Sequence, residues 1–153
     1  MNERYKNLEI YSIAKELVVV MYKLCETLPS QESNNLSSQL RRASTSLPLN
    51  IAEGSGAASY RGFLFFLLIA YKSSLEIEAI LDLIVLLNYK KDSELSAEKE
   101  AVNKFMRKLW CYMKYVEQRV DLKEYQRSAF AQGRSFWKPP EEKTAQSSQG
   151  ISK

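Results

Sequence analysis

Gln39, Arg42, Ser46, Asn50 and Glu53 follow one another at intervals of three, four, four and three residues. On a helix that spacing stacks them in one row. Beside it Leu36, Leu40, Ala43, Leu47 and Ile51 form an apolar row of the same period. A solvated face does not need ordered polarity next to its core edge, so the row is read as pairing with something specific. Arg42 is expected to hold Glu76 or Glu53 in a buried or subunit-interface ion pair. Asn50 is expected to tie off backbone carbonyls freed near Pro48, and Gln39, Ser46 and Ser73 complete the candidate network. Paired, such groups specify geometry; buried without partners, each costs on the order of several kcal/mol. Direct ligand binding by the row is the second reading.

Enzymatic chemistry has little to work with. The chain contains no histidine, which removes the commonest general base, the imidazole of a nucleophilic triad and the Glu-x-x-His ligands of di-metal bundles. Glu53, Glu76 and Glu78 remain as carboxylates for a cation, but Glu76 and Glu78 stand about 200° apart on a helix and do not face one ion. Cys25 and Cys111 form no CxxC and fall within apolar helical patterns, so both are read as buried free thiols. Gly54-Ser55-Gly56 precedes a helix, whose amino terminus suits a phosphate. It lacks the P-loop Gly-Lys-Ser/Thr and follows a helix rather than a strand, which favours a plain helix-to-helix turn. The expectation is no enzyme, no cofactor and no metal.

Charge points elsewhere. Lys and Arg number 22 against 18 Asp and Glu, and the surplus sits in residues 99–153, with twelve cations against six acids. Lys104, Arg107, Lys108 and Lys114 share one side of the last helical segment, with Arg119 and Lys123 at its edge; Arg4, Lys6, Arg41 and Arg61 are candidates to extend the patch. Glu100, Gln118 and Asp121 dilute it. On one copy a solvated face is the simpler reading. Repeated around an oligomer, the stripe would grip RNA or an RNA–DNA hybrid through phosphates, with salt-sensitive affinity and no base reading. No RRM, KH or zinc-finger pattern occurs. The competing reading is a protein–protein adaptor with no nucleic-acid role.

Four helical segments must position these groups. The first runs from about residue 5 to 28 and stops at Pro29; the second covers about 35–55, capped by Ser33 or Asn34, with a kink or break at Pro48. The third starts at the Ser59 cap and reaches about 89, and the fourth spans about 95–130. Short connections between long amphipathic helices predict an all-α, antiparallel up-down-up-down four-helix bundle over residues 1–131. Residues 132–153, rich in Pro, Ser, Gln, Lys and Glu, read as a disordered tail in which Phe136-Trp137 is a candidate docking element. In the first segment the rows Tyr11, Ala14, Val18, Met21, Cys25, Leu28 and Ile10, Ile13, Leu17, Val20, Leu24 cover about 200°, wider than a core-facing helix needs. Either unusually deep burial or a neighbouring subunit must hide the excess, and a subunit is the favoured reading. The nine apolar residues from Phe63 to Tyr71 are too few to span a bilayer, and no apolar targeting segment opens the chain, so a cytoplasmic protein without membrane contact is expected.

The run from Gln39 to Gly54 fits Gln-x-x-Arg-Ala-x-x-Ser-x-x-x-Asn-Ile-Ala-Glu-Gly. It resembles the four-helix-bundle family of proteins encoded in intervening sequences of bacterial large-subunit ribosomal RNA genes. Downstream, Phe63, Leu67, Ile69, Ala70, Ser73, Glu76, Ile77, Glu78 and Leu81 are similar to a second run of that family, and Tyr5 to Ile10 to its opening. Lys72 replaces a Gly of the pattern, Ala57 a basic residue and Ala79 a Thr, and Lys72 is expected to widen a tight helix crossing. A related family is the accessory protein of diversity-generating retroelements, which partners a reverse transcriptase. The resemblance implies a homopentameric ring, with a reverse transcriptase or a ribosomal RNA intervening sequence as the setting.

Overall fold

The computed structural model describes residues 4–120. Its elements are α1 (Glu9–Glu26), α2 (Leu36–Ser55), α3 (Tyr60–Leu86) and α4 (Ser96–Glu117), with 3-10 turns at Arg4–Asn7, Ser30–Glu32 and Asp92–Leu95. No strand occurs among the described residues. The predicted tail with Phe136 and Trp137, the 121–130 end of the predicted fourth helix, and Lys123 lie outside the described residues.

Each helix packs on its neighbours in chain order, and α4 also packs on α1. Ser46 on α2 meets Ser73 on α3, Phe63 near the start of α3 meets Tyr112 near the end of α4, and Lys108 on α4 meets Glu9 at the start of α1. Between the helices lies one core in which Leu17, Met21, Leu40, Leu47, Ile51, Leu67, Ile77, Leu81, Ile84, Phe105 and Leu109 are almost wholly inaccessible. Burying such a side chain contributes roughly 1.5–3 kcal/mol, and this apolar interior holds the helices together.

Three sequence expectations change here. The break allowed for at Pro48 does not occur, and α2 continues as one helix through it. Proline inside a helix costs about 3 kcal/mol, but Leu47 and Ile51 on either side are fully buried and hold the segment helical. Neither Ser33 nor Asn34 caps α2. Glu32 does so from four residues upstream, its Oε2 accepting the Leu36 N–H at 3.3 Å. Most of the two apolar rows of α1 is absorbed by the chain itself: Ile10, Ile13, Ala14, Leu17, Met21, Leu24, Cys25 and Leu28 are buried, and Tyr11, Val18 and Val20 stay half-buried. Val19 and Tyr22 remain exposed on α1 and Leu49 on α2, and the longest run of uncovered apolar side chains is on α3. Phe65, Leu75, Leu83 and Leu86 point outward at helical spacing, with Phe65 61% and Leu86 73% exposed.

Gly54 lies inside α2 rather than in a turn. A Cβ there would stand 2.7 Å from Phe66 Cβ and 2.8 Å from Phe63 Cδ2. The missing side chain is what lets the end of α2 touch the start of α3. Lys72 is exposed, so within the chain it widens no crossing.

Candidate nucleic-acid interface

The polar row of α2 divides in two. The Ser46 and Ser73 hydroxyls are 2.9 Å apart, and Asn50 Nδ2 donates to Ser46 Oγ at 2.9 Å and to the Ser46 carbonyl at 2.8 Å. This half-buried cluster ties α2 to α3. A carbonyl that lost its donor to Pro48 would be that of Ser44, four residues earlier, so Asn50 serves a different one. Gln39, Arg42, Glu53 and Glu76 are exposed, and among the described residues their side chains form no ion pair or hydrogen bond. The expected Arg42 pair with Glu76 or Glu53 is not made within the chain, because Arg42 projects to solvent.

The cations of α4 face outward, opposite its buried row of Val102, Phe105, Leu109, Met113 and Val116. Arg107 Nη2 meets Glu100 Oε1 at 2.9 Å, Lys108 Nζ meets Glu9 Oε1 at 2.9 Å, and Lys114 Nζ meets Glu117 Oε2 at 2.8 Å. Lys114 also lies over the Trp110 ring, 4.8 Å from its centroid. Lys104 is exposed and without a carboxylate among the described residues. Arg119 donates to the Tyr115 carbonyl at 3.0 Å. Arg41 is half-buried over Tyr22, whereas Arg61 is exposed on α3. Neighbouring acids thus damp the middle of the stripe, and its free charge lies at Lys104 and Arg119.

Cys25 is buried, its thiol donating to the Ser37 carbonyl at 3.5 Å, and burial pushes its pKa up. Cys111, expected to be buried, is exposed on α4. The described residues hold no group of three or more His, Cys, Asp or Glu placed to bind a metal. None of their helices is long and apolar enough to cross a membrane.

One feature escaped the sequence reading. Ser59, Tyr60, Phe63, Tyr112, Tyr115 and Arg119 line a cleft of about 360 Å³ where α3 begins and α4 ends. Phe63 packs edge-on against Tyr112 with centroids 5.9 Å apart, and Tyr112 lies 5.8 Å from Tyr115. The Arg119 guanidinium sits 3.5 Å from the Tyr115 centroid. Burial raises the Tyr112 pKa, the nearby Tyr115 adds to the rise, and Arg119 opposes it. Only the i, i+3 spacing of Tyr112 and Tyr115 hinted at this cluster in the sequence; its other wall comes from α3.

No curated protein matches the chain. A family model does match, over residues 6–110, the stretch that holds the polar row, the Ser46–Ser73 contact and most of α4. The chain belongs to the 23S rRNA-intervening sequence protein family.

Proposed function

We propose that this protein is a non-enzymatic, oligomeric scaffold that binds RNA or an RNA–DNA hybrid through its phosphates. The up-down-up-down bundles associate through the outward side of α3 into a closed ring, with five copies as the family resemblance implies. Arg42 of one copy meets Glu53 or Glu76 of another there. Its setting is the cytoplasm, as an intervening-sequence protein or as accessory to the reverse transcriptase of a diversity-generating retroelement.

The observation that carries the nucleic-acid reading is the outward stance of Lys104, Arg107 and Lys108 on α4, with half-exposed Lys114 near its end and Arg119 in the turn that follows it. The acids opposite them do not cancel it. The Arg107–Glu100 and Lys108–Glu9 pairs are exposed; such pairs contribute about 0–1 kcal/mol, so a phosphate displaces those carboxylates at little cost. Repetition around a ring multiplies the contacts. Titrating the purified protein with RNA at rising salt tests this: tight binding at low salt with steep loss is expected. Absence of binding at low salt, or indifference to salt, rejects it.

The exposed apolar side chains of α3 favour one second reading, an adaptor whose α3 face docks a different protein. A monomer in light scattering, with no RNA binding, would support it.

A further inference from the structure

We propose that the cleft between the start of α3 and the end of α4 is a seat for one unstacked base of single-stranded RNA. The base lies against Tyr60 and Tyr115, and its phosphate is held by Arg119 and the first amides of α3. Three observations converge. Tyr60 and Tyr115 are each about half exposed, at 51% and 49%, although they line a concavity beside the partly buried Phe63 and Tyr112. Half-exposed rings backed by packed ones present rigid π-faces to a ligand. The Arg119 guanidinium covers one face of Tyr115; an entering planar base takes that place as Arg119 turns to the phosphate. Ser59 caps the Gly62 N–H at 3.1 Å, leaving the N–H groups of Tyr60 and Arg61 ahead of the first helical hydrogen bond, in a first turn of α3 that carries no acid. The cleft volume falls within the range of small-molecule sites.

Stacking on aromatic side chains tolerates any base, which suits a protein without a base-reading motif. This seat deepens the RNA-binding reading and rests on it. The α4 stripe supplies sequence-blind attraction, and the cleft supplies a preference for unpaired strands over duplex.

The test uses fluorescence anisotropy of the full chain with a labelled single-stranded ten-nucleotide RNA and with an abasic strand of the same length. The base-bearing strand is expected to bind about five- to a hundredfold more tightly than the abasic one. Tyr60→Ala and Tyr115→Ala each remove much of that preference, Tyr115→Phe retains it, and the salt slope stays put because stacking releases no counterions. Equal affinity for the two strands overturns the seat while leaving phosphate binding intact, as does unchanged preference in both alanine variants. Failure of either strand to bind at low salt overturns both readings.

Discussion

The Tyr89 hydroxyl donates a 2.8 Å hydrogen bond to Glu32 Oε1 across 57 residues of sequence. The other carboxylate oxygen of Glu32 accepts from Leu36 N–H and from Asn35 Nδ2 at 3.0 Å. One buried side chain therefore caps α2 and anchors the α1–α2 loop to the loop that follows α3. Gln31 Nε2 donates to the same tyrosine oxygen at 3.2 Å. Donors on both oxygens favour the ionised form, and the Glu32 pKa is lowered, chiefly by Tyr89.

This sets a pH dependence. A depressed folded-state pKa stabilises the fold above the unfolded value and loses that contribution as pH falls through the folded one. Tyr89→Phe removes the largest cause of the depression. The variant is expected to melt below the parent at pH 7, with the gap shrinking as the pH is lowered past the carboxylate range. Thermal melts followed by circular dichroism at pH 7 and pH 3 measure it. A gap that is the same at both values would separate the tyrosine from the charge state of Glu32.

Gly54→Ala sets two magnitudes against each other. Alanine in place of a helical glycine gains about 1 kcal/mol of propensity. The added methyl lies 2.7 Å from Phe66 Cβ, an atom fixed to the backbone that does not swing aside. Overpacking costs about 1–3 kcal/mol, so a net loss of stability is expected. Urea unfolding should show a lower midpoint with the slope unchanged.

Arg42→Ala discriminates between a fold role and an interface role. Arg42 is exposed and pairs with no carboxylate among the described residues, so the substitution is expected to change bundle stability by less than about 0.5 kcal/mol. Phe65→Glu should behave alike, at a side chain 61% exposed. Both are expected to reduce the assembled mass in light scattering while helix content holds. Full-size assemblies from both variants would remove α3 and Arg42 from the interface.

Lys104→Glu reverses a cation that makes no ion pair among the described residues. RNA affinity is expected to fall for every sequence alike, and the slope of log affinity against log salt to shrink by about one for each phosphate no longer neutralised. A Glu9→Gln variant, which frees Lys108 from its 2.9 Å partner, should bind RNA more tightly.

The helices are legible because apolar spacing reports directly on burial: Leu40, Ala43, Leu47 and Ile51 recur at the spacing of a core row and are all buried. The Ser46, Asn50 and Ser73 cluster is legible as polarity at a core edge. The Glu32 link is not, because a glutamate in a short polar loop carries no periodicity and its partner Tyr89 lies in another loop, after α3. Gly54 misleads because a glycine needed for close approach and a glycine ending a helix look alike from one strand of text. The width of the α1 apolar arc measures how deeply that helix sits, whereas the surplus on α3 is hidden by its own near-continuous hydrophobicity.

The Glu32–Tyr89 link has a mechanical corollary. The end of the molecule that holds it is also laced by Lys99 with Asp82 and Asp92, and by Glu94 on the Lys91 amide. The opposite pole, where α3 begins, joins its helices through rings, van der Waals contact and the exposed Lys108–Glu9 pair between α4 and α1. Breathing should start at that softer pole, giving its amides the faster hydrogen exchange and letting a guest enter without loosening the clamped one.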